Sequence, residues 1–557
     1  MSANSSQFAA SPYRVFLSDV HGQGDVFDYL VQEKFGIVEK IVIDASEHDD
    51  SRAGVLRHYL LPRQRTVDAE YSAVSDVVIM MDLLLTFKNE RRFWPVCVDA
   101  FVNCSWLLPV VDQCAIQAEV SEVDLEAVSR LDAFDRISVC NLIAESVHSL
   151  IAYRVQLVGD IFDRGASAPH IIDQLEKLPA VGIQWGNHDV LWMGAASGSL
   201  ECIATAVRLC IRYGHVETLT DDYSIDLSDL ATLAEQAYAD DSCEQFMPLS
   251  DAAQWSQLQL AAMHKAVAMI QFKLEHHIVE RNPDYSMESR LLLNKIDYTH
   301  GQISLQGETV DLIDSSLPTV NPHSPTSLTD AEWSVIEKLK QQFVGSERLQ
   351  RHVNFLFANG SLVDSDGEYL LFHGCMPVDD DLEFLPAPVA GRQVTGRAMF
   401  DAFELQMRKA YSRRHSTSCK YLSDVAWYLW CGPNSPLFGK EQMTTFERYF
   451  IANKHFHKEG KNPYFDARND ANFVAKVAEE LSGDAGSIII NGHVPVKLKA
   501  GESPRYANNQ LLCIDGGFSQ AYRSRTGAAG MVLIANDQSA QLFKLDAETA
   551  GFSFNEI

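Results

Sequence analysis

The chain has 557 residues and a formal net charge of −29 at pH 7, with 46% hydrophobic and 22% charged residues. That length exceeds the roughly 250–300 residues at which a single core usually stops growing, so more than one structural unit is expected. So acidic a surface repels nucleic-acid backbones and argues against a general nucleic-acid binder, and the ordinary globular composition excludes disorder along the whole chain.

The 11 cysteines are odd in number and form no CxxC pair. They read as reduced, buried thiols and point to a reducing compartment such as a cytoplasm. Residues 1–12 are small and polar, without a basic start or an apolar core, and are not read as a signal peptide. No apolar run reaches membrane-spanning length. The nearest, 77–87, is broken by Asp82 and reads as a buried helix.

In chain order, the first apolar, β-branched run is 13–20 (YRVFLSDV). Helical text follows from about 34 to 150, with apolar residues at helical spacing over 125–151. The second run, 153–160 (YRVQLVGD), leads to a short connecting helix at 168–178. The third, 181–189 (VGIQWGNHD), opens a helical stretch at 191–213. Helices are then expected at 251–281 and 330–357, with exposed loops at 220–228 and 315–329. The fourth run is 369–374 (YLLFHG), followed by a helix at 397–413, and the fifth is 487–493 (SIIINGH). Residues 511–514, 530–535 and 539–545 return to β-like text. Short apolar runs bounded by turn residues suit buried strands, and their C-terminal ends are where α/β folds place chemistry. The division predicted is a β-rich core from 13–33, 151–198, 369–378 and 485–557, helical insertions at 34–150 and 199–368, and a separate segment at 379–484.

Those strand ends carry Asp19-Val20-His21-Gly22, then Gly159-Asp160 with Asp163-Arg164-Gly165, then Gly186-Asn187-His188-Asp189, then His373-Gly374, then Gly492-His493. Any one is weak, since an Asp-x-His also arises as an Asp turn beside a core histidine; five in series are not. Mixed imidazole and carboxylate donors suit Mn, Fe, Co or Zn rather than an oxygen-only Mg or Ca site. Asp19 and His21, two apart on an extended strand end, can face one ion. Asp160 has two carboxylate oxygens and can bridge two.

The ordered set DxH, GDxxDR, GNHD, a lone H and GH resembles the calcineurin-like metallophosphoesterases. The resemblance implies an α/β (α+β) fold with a β-sandwich core flanked by helices and large, mostly helical insertions. It places Asp19, His21 and Asp160 on one divalent ion and Asp160, Asn187, His373 and His493 on another. Two ions ~3.5–4 Å apart can hold a hydroxide that attacks phosphorus in line. The resemblance further implies His188 as proton donor to the leaving alcohol or stabiliser of the transition state, Asp163 as its orienting partner, and Arg164 as a clamp on phosphate oxygens. A structural salt bridge under the site is the alternative for Asp163 and Arg164. Many phosphodiesterases of this superfamily end in GHxH. Here the text is Gly492-His493-Val494-Pro495, and Pro495 cannot ligate, which favours phosphomonoesters.

Longer blocks narrow the family. QWGNHDVLWMGAA (184–196), WYLWCGPNSPLFGKEQMTTFERYFI (427–451), NPYF (462–465), NGHVPVK (491–497) and LLCIDGGFSQAYRSRTGAAGMVLI (511–534) resemble the class III fructose-1,6-bisphosphatases of bacteria. The implied activity is hydrolysis of fructose 1,6-bisphosphate to fructose 6-phosphate in gluconeogenesis, with Mn²⁺ as the expected metal. A phosphatase of another sugar phosphate or of phosphoprotein is the alternative. The chain is somewhat shorter than expected of that family, the missing length falling in the insertions. A sugar bisphosphate needs cations away from the metals. Arg448 and Lys461, with Lys440 and Tyr464 in the same region, are the candidates, against the bland alternative that basic residues only balance an acidic surface. Lys454, Lys497, Arg505, Arg523 and Arg525 form the wider basic set. Trp427, Trp430 and Phe438 are expected to pack core. No nucleic-acid or membrane partner is expected, and a homo-oligomer is kept open.

Overall fold

A computed structural model describes residues 13–46, 49–61, 73–88, 92–101, 107–117, 128–250, 254–416, 422–548 and 551–557. The expectation for residues 1–12 and the starts of the helices expected from 125 and from 251 fall outside them. The chain is mixed α/β and divides into two compact units: residues 1–15, 28–155 and 532–557, and residues 16–27 and 156–531.

The first unit is mostly helical, with helices at Ile37–Ser46, Asp50–Leu60, Val74–Thr86, Phe93–Ala100, Leu107–Gln117 and Ala133–Leu150. Their starts are chemically marked. Asp49 accepts from the backbone N–H groups of Ser51 and Arg52, and Asp132 from that of Asp135, which satisfies amides that the first helical turn leaves open. Val74–Thr86 is the buried helix expected near 77–87, with Val77, Met80, Leu83 and Leu84 inside. Asp82, which breaks the apolar run, lies 3.5 Å from Arg52. The buried Lys40 ammonium donates to Asp44 at 2.8 Å and Ser539 at 2.6 Å.

The strands that position the site are β1 (Tyr13–Leu17), β2 (Tyr153–Val158), β3 (Val181–Gln184), β4 (Gly360–Ser361), β5 (Val363–Ser365), β6 (Tyr369–Phe372), β7 (Ile488–Asn491), β8 (Arg505–Tyr506) and β9 (Leu511–Cys513). In the second unit the C-terminal halves of β1 and β2 continue a sheet in the order β1-β2-β3-β4, while a second sheet runs β8-β9-β7-β6-β5. β7 is parallel to both β6 and β9, with Ile489 opposite Leu370 on one side and Leu511 on the other. All five apolar runs singled out in the sequence are strands, and β6 is buried along its whole length. Nearly continuous apolar text is what a strand covered on both faces requires. The β-like text after 511 gives β9, β10 (Met531–Ala535) and β11 (Ala540–Glu548), the last pairing antiparallel with β12 (Gly551–Glu556) in the first unit.

Two helical expectations were too long. The stretch 191–213 is two helices, Asn187–Ala196 and Leu200–Tyr213. Gly198 takes a left-handed φ of 89° there, and Ser199 caps the second helix by accepting from Cys202 N–H. Likewise 330–357 divides into Asp330–Gly345 and Glu347–Asn359, with Ser346 capping the second. Apolar text ran through both breaks because buried apolar residues continue on either side of each. Within the stretch read as a helical insertion there is also a small antiparallel sheet, Ile296–Asp297, Gln302–Leu305 and Glu308–Asp311. Helix Gln257–Arg281 is buried nearly all round, and its Lys273 is paired with Glu332 at 2.7 Å. No described helix is long and apolar enough to cross a membrane.

Candidate functional site

The chain leaves β1 and β2 through loops that are stitched together by backbone, and His493 N–H after β7 donates to the Asp19 carboxylate at 3.0 Å. Asp19 N–H donates to Gly159 O at 2.9 Å, His21 N–H to Asp160 O at 3.1 Å and Gly22 N–H to Ile161 O at 2.9 Å. Asp19, His21, Asp160, Arg164 and His493 all have positive φ, between 49° and 70°. For residues with a Cβ this costs on the order of 1 kcal/mol or more each, and such strain persists where surrounding bonds over-determine it. Asp189 supplies much of that restraint: its carboxylate accepts from the N–H groups of Asp160 (2.9 Å), Ile161 (2.8 Å) and Gly186 (2.9 Å). Gly159 has φ 90°, and a Cβ there would run into the His373 ring.

These loops gather two groups of donor atoms. Asp19, His21 and Asp160 offer ligand atoms all within 4.8 Å of one another, and so do Asp160, His373 and His493. Asp160 belongs to both groups. His21 Nε2 lies 3.4 Å from Asp19 Oδ1, and His373 Nε2 lies 3.4 Å from Asp160 Oδ2. The His373 and His493 rings face each other through Nε2 and Nδ1 at 3.2 Å. His373 Nδ1 donates to Val158 O at 2.9 Å and His493 Nε2 to Phe438 O at 2.9 Å. Each bond selects a tautomer and leaves the inward nitrogen with a lone pair, the arrangement of a metal-ligating histidine. The Asn187 side-chain oxygen is buried with no hydrogen-bond partner among the described residues.

Electrostatics say the same. Burial disfavours the His21 imidazolium, yet Asp163 and Asp19 outweigh it and push its pKa up to about 9. Asp160 likewise pushes His373 up to about 10 against burial. Burial, then His373, push His493 down to about 4. Carboxylate charge this concentrated draws protons onto neighbouring imidazoles when nothing else neutralises it, and protons and metal ions compete for the same donors. Imidazole nitrogens, carboxylate oxygens and one unpartnered amide oxygen therefore fit a first-row divalent ion. A third acid–histidine group, Asp173, Glu176 and His352, is already neutralised, because Arg348 donates to Asp173 at 2.7 Å and Arg351 also pairs with it.

Beside the donors, Asp163 is a hub. His188 Nε2 lies 3.2 Å from Asp163 Oδ1, Arg164 Nε 3.2 Å from Asp163 Oδ2, and His21 Nε2 3.5 Å from the same oxygen. His188 N–H donates to Asp160 Oδ1 at 3.0 Å, and its ring meets Trp430 edge-on at 4.8 Å. Burial lowers the His188 pKa, with Asp163 and Asp160 opposing. The Arg164 guanidinium stacks over Tyr213 at 5.4 Å. The Asp163–Arg164 ion pair raised as the structural alternative does form, and both residues line the cleft.

That cleft has a volume of ≈ 750 Å³ and opens over the donor groups. Lys440, Arg448 and Lys461 line it, as expected of substrate contacts. Two of them share one partner: Lys440 reaches Glu459 at 2.7 Å and Arg448 reaches it at 3.2 Å. Tyr464 is a correction. It is fully buried away from the cleft wall, packed near Phe372 and Phe473, and its hydroxyl accepts from Asn491 at 2.9 Å. An aromatic in an apolar block is core by default, and the basic residues around it misled. Arg468 was missed. It stacks over Tyr506 at 4.4 Å in the same cleft, in a polar segment that carries no motif. Lys497 and Arg525 also line the wall. Trp427 packs core as expected, whereas Trp430 and Phe438, though largely buried, also border the cleft.

A family model described as Firmicute fructose-1,6-bisphosphatase matches residues 121–550. The chain is 41% identical to a class 3 fructose-1,6-bisphosphatase of Saccharophagus degradans, across 94% of this chain and 92% of that one. It is 38% identical to one of Clostridium acetobutylicum, across 95% and 82%, and 39% identical to one of Alkaliphilus metalliredigens, across 95% and 83%. No solved structure matches the chain. Matched along nearly its whole length, the chain belongs to the class 3 fructose-1,6-bisphosphatase family.

Proposed function

We propose that the chain hydrolyses fructose 1,6-bisphosphate to fructose 6-phosphate and phosphate, the gluconeogenic reaction, in a calcineurin-like metallophosphoesterase core that holds two Mn²⁺ ions. The observation that carries the metal count is the pair of donor groups sharing Asp160. Asp19, His21 and Asp160 would hold one ion; Asp160, Asn187, His373 and His493 would hold the other. Ions there supply Lewis acidity, bringing the pKa of water towards neutrality and offsetting phosphate charge. Asp160 keeps both groups at a common distance, since one carboxylate serves both.

His188, held by Asp163 at 3.2 Å, delivers a proton to the departing sugar oxygen. Arg164, splayed over Tyr213, holds phosphate oxygens through its planar fork. The second phosphate of the substrate rests on the cationic wall. Glu459 already occupies Lys440 and Arg448, so Lys461 and Arg468 carry most of that contact. The pKa of Lys461 is lowered by burial, then by Lys497, Arg468 and Lys440, so cations crowd it and an anion relieves them. In a chain of net charge −29 such a cluster has a local purpose. The nine described cysteines are buried free thiols, which fits a reducing compartment such as the cytoplasm.

The test is phosphate release by chelator-stripped protein given back Mn²⁺, against fructose 1,6-bisphosphate, fructose 6-phosphate, glucose 1-phosphate, a phosphopeptide and a phosphodiester. Metal-dependent preference for the bisphosphate supports the reading. Comparable rates on the phosphopeptide or the diester would defeat the sugar-bisphosphate assignment.

A further inference from the structure

β9 carries the chain past the metal-ligand loop. Ile514 N–H donates to Asn491 O at 2.9 Å, and one residue on, Asp515 O accepts from Val496 N–H at 3.0 Å. Asp515 thus flanks the loop that holds His493 and Pro495. Its side chain is completely buried yet borders the cleft. Oδ1 accepts from Gly517 N–H at 2.9 Å, whereas Oδ2 has no hydrogen-bond partner among the described residues. It lines the same cleft as Asp19 and His21. The two glycines that follow fix its aim. Gly517 has φ 64°, and at Gly516 a Cβ would meet the backbone of Gly530 and Met531. A buried carboxylate oxygen with no donor is costly unless a ligand supplies one.

We propose that Asp515 is a positioning residue of the metal centre, its free oxygen accepting a hydrogen bond from a water that completes the Asp19–His21–Asp160 half. That half has three protein donors, and Pro495 stands where a further histidine would otherwise serve it. Asp515 is not among the donor atoms within 4.8 Å of one another, so it acts through a water and not by direct ligation. Outer partners of this kind change metal affinity by about 10–100-fold. The inference rests on the two-metal reading and extends it to a residue outside both donor groups.

Calorimetric titration of Mn²⁺ into chelator-stripped wild type and Asp515→Asn tests it, with melting temperatures of the stripped and Mn²⁺-loaded forms. The expected result is one site weakened about tenfold or more and the other unchanged. The stripped variant should melt no lower than wild type, because the oxygen it replaces has no hydrogen-bond partner to lose, while the rise in melting temperature on adding Mn²⁺ shrinks. Asp515→Ser repeats the test should asparagine pack badly. Unchanged Mn²⁺ affinity overturns the proposal, as does a stripped variant that melts lower with binding intact, since that marks a packing role. Wild type that binds no Mn²⁺ overturns the two-metal reading and this inference with it. Wild type that binds two ions alongside an unaffected variant removes Asp515 alone.

Discussion

The donor loops and the cationic wall face the same cleft but are built differently. At the loops the backbone does the positioning: cross-loop amides, left-handed residues and the Asp189 carboxylate fix where Asp19, His21, Asp160 and His493 point. At the wall the side chains do it. Lys440 and Arg448 are about one-third and one-half exposed and lean on Glu459, and Arg468 lies on Tyr506. Polar groups that are buried and over-determined fail together when one is removed, whereas half-exposed charges fail singly and by small steps.

The sharpest way to break the loops is Asp160→Asn. It removes the carboxylate common to both donor groups, so both ions should be lost in metal analysis and turnover should fall by at least ~10²–10³-fold, as for loss of a preorganised electrostatic group. Retained metal and turnover would refute the sharing of Asp160. Next is His188→Gln, which leaves the donor groups intact. Mn²⁺ binding should be unchanged while kcat drops roughly 10²-fold, and the loss should be smaller for substrates with better leaving groups. A uniform loss across leaving groups would assign His188 a different role.

At the wall, Lys461→Ala and Arg468→Ala should each raise KM for fructose 1,6-bisphosphate about tenfold, the scale of one charge-assisted hydrogen bond. Neither should change KM for a simple phosphomonoester. Lys440→Ala should shift KM by about threefold or less, because Glu459 already engages it. If Lys440→Ala has the larger effect, the second phosphate displaces Glu459 and the ranking reverses.

A last effect, on stability and not on turnover, lies behind the wall. His264 Nδ1 donates to Phe246 O (2.7 Å), its Nε2 accepts from the Tyr449 hydroxyl (2.8 Å), and burial, with Arg208 adding, pushes its pKa down to about 3. Unfolded, it titrates near 6.5. Below that pH the unfolded chain binds the extra proton, so this contribution is complete above pH 6.5 and declines as pH falls towards 3. At pH 5 the loss is about 2 kcal/mol. Urea denaturation at pH 7.5 and pH 5 should show that difference in wild type and not in His264→Gln.

How much of this was legible depended on what each residue is bonded to. The ligand motifs could be read because each lies at the end of an apolar strand, where a few contiguous residues encode both the strand and its polar terminus. Asp189 stood in the same motif, but its task of holding Asp160, Ile161 and Gly186 amides involves a loop 28 residues away. Arg468 and Asp515 carry no local pattern, and only the neighbours that tertiary packing brings to them mark them out. Tyr464 was misjudged for the converse reason: its neighbours in sequence are basic, while those in space are Phe372 and Asn491.

By itself the sequence determined the strands β1, β2, β3, β6 and β7, the mixed α/β class and the family, since periodicity and contiguous motifs are local properties of the chain. Tertiary structure alone decided that Asp160 belongs to two donor groups, that Glu459 engages two of the expected cations, and that Asp515, with one unpartnered oxygen, lines the same cleft as Asp19 and His21. Those are pairings across eleven to several hundred residues, set by how buried charge finds a partner when the chain closes on itself.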